Sequence, residues 1–315
     1  MQHAPCHQIA CGRERVNKYT IIGKLNAIWS FQALILSKRM IQFLRKIAIG
    51  VAVLPTVMLA QWPSHPIARA PRTPDGQVNL EAPAPKTPDG RPDLSGVWDR
   101  GMPPGARADA GTGGFGNPPA PGPRPFQNLP SMLPGGVPFQ PWAAELRKKR
   151  LAENSKDHPD AYCLPLHPVQ LHSHPQPRKI IQTPDVVLIM YEANNGLRQI
   201  FTDGRPLPSN DPEPWWYGYS TGKWEGDTLV AQTTGFRDMG WLDEEGTPIT
   251  SAGKVMERFR RLNYGTLEIE ITVNDPKTFT KPWTVRLEQH LMPDTELIEF
   301  VCAENNRSAP HLVGK

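Results

Sequence analysis

The sequence predicts an all-β protein, an antiparallel up-and-down meander that closes as a barrel or packs as a sandwich. Three observations point there. From about residue 178 the apolar residues recur every second position, as in "TLEIEITV", where Leu267, Ile269, Ile271 and Val273 alternate with Glu268, Glu270 and Thr272. Short turn signals separate these runs: Pro184-Asp185, Asn195-Gly196, Gly226-Asp227, Asn263 to Gly265 and Pro293-Asp294. Strands and helices do not alternate in the manner of a parallel sheet.

The elements are read in chain order. Residues 61–140 form a Pro/Gly-rich arm and loop, and 19 of the 36 prolines fall between Pro63 and Pro141. Within it "TPDGQVNL" and "TPDGRPDL" repeat a Pro-Asp-Gly turn, in which Pro presets φ and Gly accepts a positive φ. Leu94 to Arg100 is a short strand. The stretch after Arg100 is too poor in apolar residues to order itself. Pro141 starts the one clear helix, 141–155, with Trp142, Leu146 and Leu151 tracing an apolar stripe. Pro168, Pro175 and Pro177 make 167–177 read as a rigid, extended lead-in. Residues 160–315 then carry nine or ten strands in successive hairpins, the last pair running out through "ELIEFVCAE".

"TPDGRPDLSGVW", "LRQIFTDGRP", "GKWEGDTLV", "ERFRRL" and "CAENN" together resemble an abundant group of exported bacterial proteins of unassigned activity. Gly96-Val97-Trp98, entering a first strand, is also similar to the opening of lipocalin-like barrels. The resemblance implies export and a barrel, and assigns no catalytic residue.

The N-terminal segment carries an expectation of its own. Met40 opens a stretch in which Arg45 and Lys46 precede the apolar run Ile47 to Ala60, the pattern of a signal peptide. Residues 1–39 are then expected to lie upstream of the true start, and residues 40–60 to be removed. The run is too short for a comfortable membrane span, so no stable span is expected after processing. Residues 61–315 hold 27 basic and 30 acidic residues, a balance of −3, which excludes nucleic-acid binding on charge. A periplasmic or secreted chain with two remaining cysteines, Cys163 and Cys302, is expected to join them in one disulfide.

Gly218-Tyr219-Ser220-Thr221-Gly222 spells the nucleophile motif of serine hydrolases, and chain order permits Asp243 and His311 as partners. The helix that must follow such a serine is missing; a hairpin turn follows instead. His172 and His174, with further ligands from His167, His290 or a carboxylate, are the candidates for a metal, and neither a metal nor another cofactor is expected. Arg198, Asp203, Arg205, Glu225, Glu257, Arg258, Arg260 and Glu304 all fall on or beside strands. Facing outward they are cross-strand ion pairs. Facing inward they recognise a polar ligand, and Glu257 beside arginines becomes a candidate general base. Trp215, Trp216, Tyr217 and Tyr219 either stack on a ligand at the barrel mouth or plug the core. The expected ligand-binding set is therefore Arg198, Asp203, Arg205, Trp215, Trp216, Tyr219 and Arg258. The function this favours is binding of a small molecule. The alternatives are an enzyme built on Glu257 or Ser220, and an envelope protein whose Pro-rich arm docks a partner.

Overall fold

A computed structural model describes residues 65–100, 129–208, 213–304, 307 and 311. All of them belong to one compact unit, Ser64–Lys315. The expected signal peptide, the residues before it and the glycine-rich stretch 101–128 lie outside the described residues.

Nine strands close a barrel in the order β1 (Gly96–Asp99), β11 (Trp283–Leu291), β10 (Thr266–Asn274), β9 (Lys254–Arg261), β6 (Thr228–Thr234), β5 (Tyr219–Glu225), β4 (Gly196–Phe201), β3 (Val186–Tyr191) and β2 (Arg178–Gln182). The short pair β7 (Gly240–Trp241) and β8 (Pro248–Ile249) stands apart. Strand alternation sets the filling. Val255, Phe259, Leu267, Ile269, Ile271, Val273, Val285 and Leu287 point inward and are buried, while Arg258, Arg260, Glu268, Glu270, Arg286 and Glu288, on the alternate positions, face out. The predicted turns at 184–185, 226–227 and 263–265 join β2 to β3, β5 to β6 and β9 to β10. The turn predicted at Asn195-Gly196 sits slightly earlier. Asn194 and Asn195 take the positive φ angles, and Gly196 is already the first residue of β4.

Nine strands cannot alternate in direction all the way round a closed ring, so one neighbouring pair must be parallel. That pair is β4–β5, and only Ile200↔Ser220 and Phe201↔Thr221 are matched across it. The barrel is the expected antiparallel meander everywhere but at this seam. The two strands are not joined by a turn: the chain leaves β4, passes through 202–218 and enters β5 after Trp215 pairs with Phe236.

Other expectations also give way to tertiary packing. Residues 297–304 form no strand. β1 occupies the edge of β11 instead, through Trp98↔Leu291 and Asp99↔His290, and the tail is held by Lys179–Glu296 and by the Ile298 N–H donating to Glu192. Cys302 therefore lies in a turn. Cys163 and Cys302 are joined by a disulfide with their Cα atoms 5.4 Å apart. The segment read as an extended lead-in is a short helix, α2 (Pro168–Ser173), with Pro168 in its first turn and His167 as N-cap. Helix α1 (Pro141–Ala152) is where it was predicted. Its stripe is not: Trp142 and Leu151 are exposed, Ala143 is buried, and the Trp142 indole donates to the Lys277 carbonyl at 2.7 Å.

The Pro-Asp-Gly repeats are built into the fold. In each, the threonine hydroxyl (Thr73, Thr87) meets the Asp two residues on and the carbonyl four residues on. The chain after the first repeat pairs with the β9–β10 turn, where the Gly265 N–H donates to the Leu80 carbonyl and the Tyr264 N–H to the Ala82 carbonyl. The second repeat leads into buried Leu94 and β1.

Candidate functional site

Inside the barrel the apolar filling is interrupted by a charged cluster. Glu257 comes from the middle of β9, with inward-facing Val255 and Phe259 on either side, so strand parity sends it inward. Arg198 shares that parity on β4 with buried Gly196 and Ile200. The two meet as a bidentate pair: Arg198 Nη1 donates to Glu257 Oε1 at 2.9 Å, and Nη2 donates to Oε2. Arg198 Nη2 also reaches Thr233 Oγ1 at 2.9 Å, and Nε reaches Ser220 Oγ at 3.2 Å. Arg198 and Glu257 are 1% and 0% exposed, so this pair is sealed from bulk solvent.

Helix α2 closes one side of the cluster. Its six residues are buried, and His172 Nε2 lies 2.6 Å from Glu257 Oε1. On its other side, Gln289 Nε2 lies 3.4 Å from His172 Nδ1. A neutral His172 that donates from Nε2 and accepts at Nδ1 satisfies both contacts. Arg178 caps the carboxyl end of this helix, donating to the carbonyls of His172 and His174 at 3.0 and 3.3 Å, where the helix dipole favours a cation.

Burial lowers the pKa of His172, with Glu257 opposing and Arg178 and Arg198 adding to the depression. Burial alone would raise the Glu257 carboxyl; the Arg198 charge and the hydrogen bonds from Arg198 and His172 outweigh it, and hold Glu257 well below the usual carboxylate range. Burial likewise works against the Arg198 cation, and Glu257 more than compensates. The cluster is thus an ionised, mutually neutralised pair beside a neutral histidine. His167 Nδ1 accepts from the Val169 N–H at 3.2 Å, which leaves its buried Nε2 without a partner. Gln289 Oε1 is also unpaired. Burial raises the Tyr191 phenol, and Arg198 lies close enough to oppose the shift.

The barrel wall opens at the parallel seam. Because β4 and β5 share only two matched residues, they leave a cavity of about 270 Å³ on the side of Leu197 and Gly218. Leu197, Phe201, Pro214, Trp215, Trp216 and Tyr217 form its sides, exposed Gln199 and Arg237 contribute polar lining, and buried Arg198 and Ser220 also border it. Gly218 has φ +64°, and a Cβ there would come within 2.7 Å of Phe236 and Thr233, so glycine is required where the chain turns into β5. The Tyr217 and Tyr191 rings stack with centroids 5.8 Å apart, linking the wall of this port to the barrel interior.

The residues singled out from the sequence divide between inside, port and outside. Arg198, Glu257, Ser220 and His172 converge inside; Trp215 and Trp216 join Arg198 at the port. Asp203 and Arg205 instead pair with each other on the exterior, Arg205 lying 4.0 Å from the Phe201 ring centroid and Phe201 packing on Tyr219 at 5.5 Å. Arg258 faces out and bonds Glu225 at 3.1 Å, and Arg260 and Glu304 are exposed. Ser220 lies within a paired strand, 1% exposed, between Arg198 and Thr233. Asp243 serves its own turn by accepting from Glu245, Thr247 and the Thr247 hydroxyl, and His311 is exposed. His174 ends α2 and does not share a strand face with His172, as an extended H-x-H pair would. Among the described residues no group of three or more His, Cys, Asp and Glu is placed to hold a metal.

Sequence reasoning missed Thr233, Gln289 and Tyr191, and named Tyr217 in the aromatic cluster without carrying it into the ligand-binding set. Tyr191 and Gln289 carry the parity of their buried neighbours Ile189 and Leu287, and that signal was available. Compared with models of known protein families, with curated proteins and with solved structures, the chain finds no match. Among the described residues no helix is long and apolar enough to cross a membrane.

Proposed function

We propose that this protein is an exported barrel that binds a small, ring-containing molecule at the β4–β5 port. The observation that carries this reading is the port itself, a cavity walled by Trp215, Trp216 and Tyr217 whose polar lining comes from Arg198, Gln199, Ser220 and Arg237. Aromatic walls with a few convergent polar groups are what small-molecule sites are made of. The buried Arg198 cation is cancelled by a bidentate Glu257 and by itself attracts no anion; the exposed cation at the port is Arg237, whose guanidinium lies 5.3 Å from the Trp216 ring centroid. Export is supported by the signal-like segment from Met40 and by the disulfide, which an oxidising compartment preserves.

Binding is favoured over proton transfer by the state of Glu257. A general base works best with a pKa near the operating pH and within reach of its substrate. Glu257 is held far below that and is fully buried.

The test uses the uncharged dye 1-N-phenylnaphthylamine as probe. Its fluorescence is expected to rise on mixing with the protein, with saturation at one site. Trp215 is about half exposed, so Trp215→Ala leaves the fold intact. One lost aromatic contact weakens binding by about 2- to 12-fold. A dye that does not bind, or that binds both proteins equally, removes the port as a site.

A further inference from the structure

A second cavity, of about 660 Å³, opens beside the port. Leu146, Lys149 and Arg150 line one side from a single face of α1, at i, i+3 and i+4, and Glu153, the residue that caps its end, continues it. The chain around β7 lines the other, with Trp241 buried beneath. Pro214, Trp216 and Arg237 line both cavities. The two spaces therefore meet at one partition, the Trp216 indole with the Arg237 guanidinium 5.3 Å from its ring centroid.

The larger cavity is polar without favouring either sign of charge. Its cations are Lys149, Arg150 and Arg237, and its carboxylates are Glu153, Asp157, Glu213 and Asp238. A charged ligand of either sign meets like charges as well as opposite ones. Two of these groups are anchored. Arg150 donates to the Gly246 carbonyl at 2.9 Å and lies 4.3 Å from the Trp241 centroid, and Asp238 accepts from the Ser251 N–H at 2.6 Å. Fixed donors and fixed acceptors around an indole suit a ligand whose groups both donate and accept. Hydroxyls do this, and the C–H face of a saturated ring packs on an aromatic plane. The larger cavity lies within the range of about 300–1,000 Å³ usual for small-molecule sites, and the port just below it, so together they hold more than one ring.

We propose that the two cavities form one cleft for a neutral oligosaccharide, one sugar ring in the port against Trp215 and Trp216 and the next beyond the Trp216–Arg237 partition against α1. This rests on the port reading and names the ligand class. It assigns the anchored Arg150 and Asp238, with Lys149, Glu153 and Asp157 beside them, to hydroxyl recognition in the second subsite and Trp216 to the platform between the two.

The experiment is saturation-transfer NMR on the full, disulfide-intact chain, with neutral trisaccharides of glucose, xylose, mannose, galactose and N-acetylglucosamine. Transfer to the ring protons of at least one trisaccharide is expected at millimolar concentration. The matching monosaccharide should bind at least ten-fold more weakly, and affinity should hold between low and high salt. Lys149 is exposed, so Lys149→Ala folds normally; it should weaken the trisaccharide severalfold and leave phenylnaphthylamine binding at the port unchanged. Trp216→Ala should weaken both. If no trisaccharide receives transfer while the dye still binds, the saccharide assignment falls and the port survives. If neither binds, both fall. A trisaccharide indifferent to Lys149→Ala and Trp216→Ala binds elsewhere and overturns the cleft, and so does a salt-sensitive preference for trigalacturonate.

Discussion

Replacing Glu257 with Gln tests whether the barrel is organised around an ion pair. The substitution keeps the shape and removes the negative charge. Arg198 stays where it is, 1% exposed, and loses the only charged partner it contacts among the described residues. The new amide also presents a donor where His172 Nε2 and Arg198 already donate. Removing one member of a buried pair costs about 3–5 kcal/mol, because the remaining charge is left uncompensated. With a urea m-value of about 3 kcal/mol/M, reasonable for a domain of this size, the unfolding midpoint falls by about 1–1.7 M. The assay is urea unfolding followed by tryptophan fluorescence with the disulfide intact. Arg198→Met combined with Glu257→Leu removes both charges and should recover much of the loss. The pH dependence supplies a second readout. The folded carboxyl ionises more readily than an unfolded one at the ordinary 4.5. Its contribution is therefore complete above about pH 4.5 and is lost as the pH falls toward the folded value, so wild type and Glu257→Gln converge on acidification. A midpoint shift below about 0.3 M, or a double variant worse than the single, refutes the reasoning.

Other outcomes follow from neighbouring features. Burial, reinforced by Arg198, pushes His167 down to about 3 from an ordinary 6.5, so the stability it contributes is complete above pH 6.5 and lost as the pH falls. His167→Asn keeps an N-cap acceptor for Val169 and cannot titrate; its stability should fall less steeply between pH 6 and 4, by about 1.4 kcal/mol per pH unit, and equal slopes refute this. Gly218→Ala places a Cβ 2.7 Å from Phe236 at a φ of +64° and should cost roughly 2–4 kcal/mol by thermal or urea unfolding. Reducing Cys163–Cys302, which spans 139 residues, should lower stability by about 2–5 kcal/mol, read as a lower urea midpoint in reductant.

The strands were legible because their information is local. Alternation in "TLEIEITV" and turn chemistry at Gly226-Asp227 need no knowledge of the rest of the chain. The tail and the helix α2 were not, because each is decided by what lies opposite. "ELIEFVCAE" has strand-forming residues, but β1 already fills the edge it would need. The prolines of 167–177 permit an extended chain as readily as a helical first turn, and burial against Phe259 and Gln289 chooses the helix. The site lay between these extremes. Arg198, Glu257 and Ser220 were identifiable by residue type, but a single-residue register change reverses a strand's faces. The inward parity of Val255 and Phe259 around Glu257 was the available clue, outweighed by the general tendency of charge to face water. Arg258 and Arg205 followed that tendency.

The barrel is completed by its first strand lying against its last, Trp98 opposite Leu291. A ribosome delivering about 5–20 residues per second needs roughly 10–40 s to reach β11 after finishing β1. For all that time β1 lacks one of its two neighbours, and the wall stays a curved ribbon with both edges bare. Contacts this distant in sequence are slow to form and come late. A chain with this strand order therefore cannot lock itself shut while it is still being made. Under the export proposed above, where a chain threads through a narrow channel before it folds, the order of its strands is itself the delay.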